Sequence, residues 1–139
     1  MNAELFTTIP WLHILVAALG YFALGSIWYS LLFGKKWMMY CKIDMNTSGA
    51  KDGLAVIMIT SFILMIISCI GLAILENKLQ IGSAMVAVKL GLLTGVCFSM
   101  TAISISLVYE KKPLGLHVIN GGYNIIGNIL AAVILACWH

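Results

Sequence analysis

Charged residues fall in narrow clusters along the chain, and the stretches between them are long and apolar. No Asp, Glu, Lys or Arg occurs at positions 5–34, 53–75, 90–109 or 113–139. A helix rises about 1.5 Å per residue, so about 20 apolar residues cross a hydrocarbon core of about 30 Å. Each stretch reaches that length, and the pattern predicts spans at about 11–33, 54–75, 84–109 and 114–138. Helices are required, because open strands leave their backbone groups unpaired in lipid. The expected fold is an all-α integral membrane protein: four transmembrane helices in a compact bundle, forming one domain over residues 1–139.

Composition narrows the class further. Hydrophobic residues make up 62% of the chain and charged residues 9%, with a mean hydropathy of +1.04. These values lie outside the range of soluble domains, so the lipid bilayer is the expected partner of most of the surface. No Lys or Arg precedes the first span and its apolar run is long for a signal peptide, so that span is expected to stay in the mature protein.

Lysine supplies every strong base. Lys35, Lys36, Lys42, Lys51, Lys111 and Lys112 fall in the first and third connections, whereas the second holds Lys78, with Lys89 just inside span three. Positive charge concentrates in cytoplasmic loops, so both termini are expected on the outer side. Few acids and no disulfide pattern suit a bacterial inner membrane. The net charge of +3 is accounted for by orientation and by anionic headgroups, and no nucleic-acid partner is expected.

Aromatic residues gather where interfaces are expected: Trp11 and Trp138 at the outer edge, and Trp28, Tyr29, Trp37, Tyr40 and Tyr109 at the inner one. Residues 35–43 have the pattern of a short amphipathic helix whose Trp37, Met38, Tyr40 and Cys41 dip into headgroups. Asn46, Thr47, Ser48 and Gly49 break it, and Asp52 suits the first turn of span two.

The run Trp28, Tyr29, Ser30, Leu31, Leu32, Phe33, Gly34, Lys35, Lys36, Trp37, Met38 at the end of span one resembles the signature of the small membrane proteins grouped as domain of unknown function 1761. Asn120, Gly121, Gly122 and Tyr123 resemble the opening of that family's last helix. The resemblance covers nearly the whole chain and implies a four-helix membrane protein with no assigned biochemical role. Within the motif, Trp28, Tyr29, Phe33, Gly34, Lys35 and Trp37 are expected to be structural or interfacial. Leu31 stands where the pattern often carries proline, so the sequence supplies no ring to kink span one there.

Span four carries the most distinctive polar pattern. Asn120, Asn124 and Asn128 recur every four residues, with His117 one turn earlier. The stripe extends about 12 Å along one face, from the inner interface toward mid-bilayer. One reading is a polar pathway in which these residues, with Thr101 and Ser104 of span three, bind a small solute. The other is interhelical glue, since Asn in a span commonly bonds a neighbouring helix for about 0.6 kcal/mol. Hydroxyls at Thr94, Ser99, Thr101, Ser104 and Ser106 make span three the expected partner. The small stripe Gly95, Ser99, Ala102, Ser106 and the glycines Gly121 and Gly127 favour its close approach to span four. Ala17, Ala18, Gly20 and Gly25 repeat the device on span one. Lys89 is expected to snorkel to the outer interface.

Enzyme chemistry has no signature here. The acids Glu4, Asp44, Asp52, Glu76 and Glu110 are expected in tails, loops or helix ends, solvated or capping, with none inside a span to form a proton relay. His13, Cys69, Cys137 and His139 gather toward the outer face without ligand spacing, so neither a metal nor another cofactor is expected. His13 and His117 fall at opposite faces and cannot share a haem. The expected function is a small permease or channel passing a polar solute along the Asn row, as a homo-oligomer. The alternative is an accessory or structural protein docking another membrane protein through small-residue faces.

Overall fold

The computed structural model describes residues 7–43 and 49–138, and all regular structure among them is helical. Four helices are long and apolar enough to cross a membrane: Trp11–Leu32, Gly53–Leu79, Ala84–Tyr109 and Leu114–Ala136. They are called spans one to four below. Leu135 of span four and Ile9, just ahead of span one, line the same small cleft, so both ends of the described chain lie at one end of the bundle, the terminal end. The opposite, lysine end carries the connections between spans one and two and between spans three and four.

Span four is the hub. It packs along spans one and three and touches span two, whereas span three meets the bundle essentially through span four. Of span four's apolar window, 44% is buried, against 17% for span two, whose residues 53–60 are all exposed. Small residues permit this arrangement. A Cβ on Gly91 would lie 2.5 Å from the Ile129 Cα, and one on Gly95 would lie 2.7 Å from the Ile125 Cα, so backbone meets backbone there. Ala17, Ala18, Ala131 and Ala132 are fully buried between spans one and four.

The expected pairing of spans three and four is present, but its contact residues differ. Gly91 and Gly95 make the approach, while Ala102 and Ser106 of the expected stripe are exposed. Gly121 faces Met100 of span three, but Gly127 faces span one, where the Tyr21 ring occupies the space a side chain would need.

Two spans depart from α-geometry. Residues Trp28–Leu32 and Gly95–Met100 are π-helical. Each wider turn re-aims the side chains that follow it, and such segments recur at functional sites. Span one ends at Phe33 (φ −125°, ψ 8°) without a proline, and a new helix starts directly, Gly34–Cys41. This is the expected amphipathic helix, and its Lys35, Lys36 and Met39 are exposed. Trp37 and Tyr40 turn toward the protein rather than to headgroups: Trp37 packs edge-on against Tyr29 at 5.3 Å, and Tyr40 abuts Gly115 at the start of span four. Its close packing against span four explains why partial burial is the main influence raising the pKa of Cys41, with Lys112 opposing it and Glu110 adding to it. Residues 44–48 and the Asp52 side chain, with the break and capping roles expected of them, lie outside the described residues.

Span two runs one turn beyond its expected end at Leu75, closing at Leu79 with Gln80 in the left-handed region (φ 50°). Glu76 therefore belongs to the span. Lys89 is exposed near the start of span three, where snorkelling is available to it.

Candidate functional site

The asparagine row faces spans one and three, and its hydrogen bonds are made inside the bundle. At the lysine end the Tyr29 hydroxyl donates to Asn120 Oδ1 at 2.9 Å. One turn on, the Tyr21 hydroxyl donates to Asn124 Oδ1 at 2.9 Å, and Asn124 Nδ2 donates back to the Asn120 carbonyl at 2.9 Å. Asn128 closes the row: its Nδ2 donates to the Asn124 carbonyl at 2.7 Å and to Ser99 Oγ at 3.2 Å, and lies 3.4 Å from the Tyr21 hydroxyl. Its Oδ1 accepts from Thr94 Oγ1 at 3.3 Å.

Aromatic rings flank this seam and keep it narrow. Tyr123 lies 5.3 Å from Tyr21 and 5.1 Å from Tyr29, and its hydroxyl donates to the Tyr21 carbonyl at 3.4 Å. Trp28 Nε1 donates to the Ile119 carbonyl at 3.0 Å, and its ring packs against Phe33 at 4.8 Å. Trp28 and Tyr29 thus point into the bundle from the π-helical end of span one, not outward as an interfacial belt. Next to Asn128 toward the terminal end the interior is apolar, built from Ile14, Ala17, Ala18, Leu72, Ala131 and Ala132, and polar atoms return at His13 and Glu76.

The structure brings together part of the expected set. Asn120, Asn124 and Asn128 form the row, and His117 is buried one turn before it. Thr101 is exposed and its hydroxyl bonds the carbonyls of Cys97 and Phe98 in its own helix, while Ser104 is half-buried one turn further on. The span-three hydroxyls that reach the row are Thr94 and Ser99. Of the family-motif residues, Tyr29 supplies a bond to the row, Trp28 and Phe33 pack beside it, and Trp37 buttresses Tyr29. Gly34 sits under the Tyr29 carbonyl, where a Cβ would come within 2.8 Å, and Lys35 is exposed.

Sequence reasoning missed Tyr21 of span one, and took Tyr29 as a structural or interfacial residue without its bond to the row. A signal existed: Tyr21 and Tyr29 are eight residues apart, as are Asn120 and Asn128. On antiparallel helices of equal rise, equal spacings stay in register.

At the terminal end, His13 stacks on Trp138 with ring centroids 4.7 Å apart, and its Nδ1 is buried without a partner. Cys69 is fully buried, Cys137 is exposed, and His139 lies outside the described residues. Glu76 overturns the expectation of a solvated or capping acid: it is 1% exposed, and neither carboxylate oxygen has a hydrogen-bond partner.

The model of a family described as "Protein of unknown function (DUF1761)" matches residues 12–136. No curated protein and no solved structure matches the chain.

Proposed function

The chain belongs to the DUF1761 family, and on that premise we propose that it is a non-enzymatic accessory or structural protein of the membrane that docks another membrane protein. The observation carrying this reading is the closure of the asparagine row, whose side chains are bonded to Tyr21, Tyr29, Thr94, Ser99 and span four itself. A row bonded in this way joins spans one, three and four. The surface then becomes the functional part. The lysine-end half of span three packs mainly on span four and exposes Thr101, Ala102 and Ser106, a small and hydroxylated face suited to close helix approach. The partner is a second copy or another membrane protein. Four free cysteines and the lysine-rich end fit a bacterial inner membrane with that end in the cytoplasm.

A second reading, solute passage along the row, is favoured by one observation: the two π-helical segments deliver Tyr29 and Ser99 to it. Native mass spectrometry from lipid nanodiscs separates the two. Docking predicts a stoichiometric protein partner that persists in folded Asn124→Leu and is lost in Ser106→Leu. A reproducible non-lipid small molecule, held by the wild type and lost in Asn124→Leu, would make the row a solute site instead.

A further inference from the structure

Glu76 is the polar group this fold leaves unexplained. It lies in the last turn of span two, 1% exposed, with both carboxylate oxygens lacking a partner among the described residues. It lines a cleft of about 20 Å³, room for one water, walled by Thr8, Ile9 and Pro10 ahead of span one, Ala73, Ile74 and Asn77 of its own helix, and Leu135 of span four. An ionised carboxylate is penalised twice here. It is removed from water without a compensating bond, and it sits at the carbonyl end of a helix, where the macrodipole is negative: Ile81 N–H already donates to the Glu76 carbonyl at 2.9 Å.

Among the described residues no neighbouring base offsets this. Residues 7–10 and span four as far as Ala136 contribute no Lys or Arg. The titratable group of span one at this end is His13, which is stacked on Trp138 and is not part of the cleft wall. Lys78 on the same helix, Lys89 on span three and Cys137 beyond span four are exposed. Glu4 lies outside the described residues.

We propose that Glu76 and its cleft are a proton-binding site at the terminal end of the bundle. In the closed bundle the carboxyl carries its proton. Ionisation returns that proton to water and requires residues 8–10 to lift away, so that water reaches the oxygens. Proton occupancy is thereby coupled to the seating of the segment before span one. Stability that needs the neutral acid is present in acid and is lost as pH rises, the sign expected when the folded state binds the proton more tightly than the unfolded one.

The test uses the full chain in nanodiscs, following thermal unfolding by tryptophan fluorescence from acid to alkaline pH, alongside infrared spectra of the protonated carboxyl. The wild-type midpoint is expected to fall by about 4 °C or more as pH rises. Glu76→Gln, which mimics the neutral acid, should lose that dependence, together with a carboxyl band that the wild type retains near neutral pH. A wild type lacking that band near neutral pH overturns the proposal. So does a midpoint that follows sodium or potassium at fixed pH, which would make the cleft a metal-cation site. Failure of Glu76→Gln to fold also overturns it, because the amide matches the form held in the closed bundle.

Discussion

The tyrosine–asparagine seam and the Glu76 cleft both place polar side chains among apolar helices, and they do so in opposite ways. In the seam Tyr21, Tyr29, Thr94, Asn124 and Asn128 each donate to an acceptor on a different helix or in the preceding turn, so these polar atoms act as fasteners. In the cleft a carboxyl lies in a mostly apolar wall of Ile, Pro, Ala and Leu, with Thr8 and Asn77 at it too, and neither oxygen is paired among the described residues. Burial alone therefore does not assign a role. A satisfied polar group stabilises one arrangement of helices, whereas an unsatisfied one stores a preference for a second arrangement in which water or a cation can reach it.

The strongest way to break the comparison is to remove the space on which the seam depends. The Tyr21 ring fills the site where a Gly127 side chain would stand, so Gly127→Leu should displace Tyr21 from Asn124 and Asn128 together. A loss of about 3 kcal/mol or more is expected in reversible unfolding by denaturing detergent. A milder pair of changes tests the difference in sign. Asn128→Leu removes the bond to Ser99 and the link to Thr94, whose hydroxyl keeps the Leu90 and Gly91 carbonyls, and should destabilise by about 1 to 3 kcal/mol, whereas Glu76→Met, of similar volume, should stabilise by about 1 kcal/mol near neutral pH. If both shifts had the same sign, the contrast between the two regions would collapse. The smallest effect belongs to Thr101→Val. Its hydroxyl bonds only its own helix and points outward, so the unfolding midpoint should move by less than about 0.5 kcal/mol.

The number and approximate bounds of the spans were legible in the sequence because lipid imposes length and charge rules that need no tertiary information. The asparagine stripe was legible for the same reason. Its partners were not, because Trp28 and Tyr29 also satisfy the description of an interfacial belt, and only the register of span one against span four turns them inward. Glu76 was misread through a boundary: the apolar run stops at Leu75, but the helix continues for one more turn to Leu79 and takes the carboxyl into the bundle. The π-helical segments carry no sequence period of their own, so residues 28–32 and 95–100 read as ordinary α-helix. Gly91 escaped notice because its role is a backbone contact with Ile129, and a lone glycine in an apolar run does not reveal what approaches it.

The hub position of span four has a consequence for biosynthesis. Synthesis runs from the first span to the last, so spans one, two and three enter the bilayer before the helix that joins them exists. Until span four arrives, Tyr21 and Tyr29 lack the asparagines they later bond, and span three lacks its main neighbour. Assembly is thus gated by the final insertion event: a nascent chain stalled before residue 114 would hold three loosely associated helices, open to quality-control proteases until the last one locks them together.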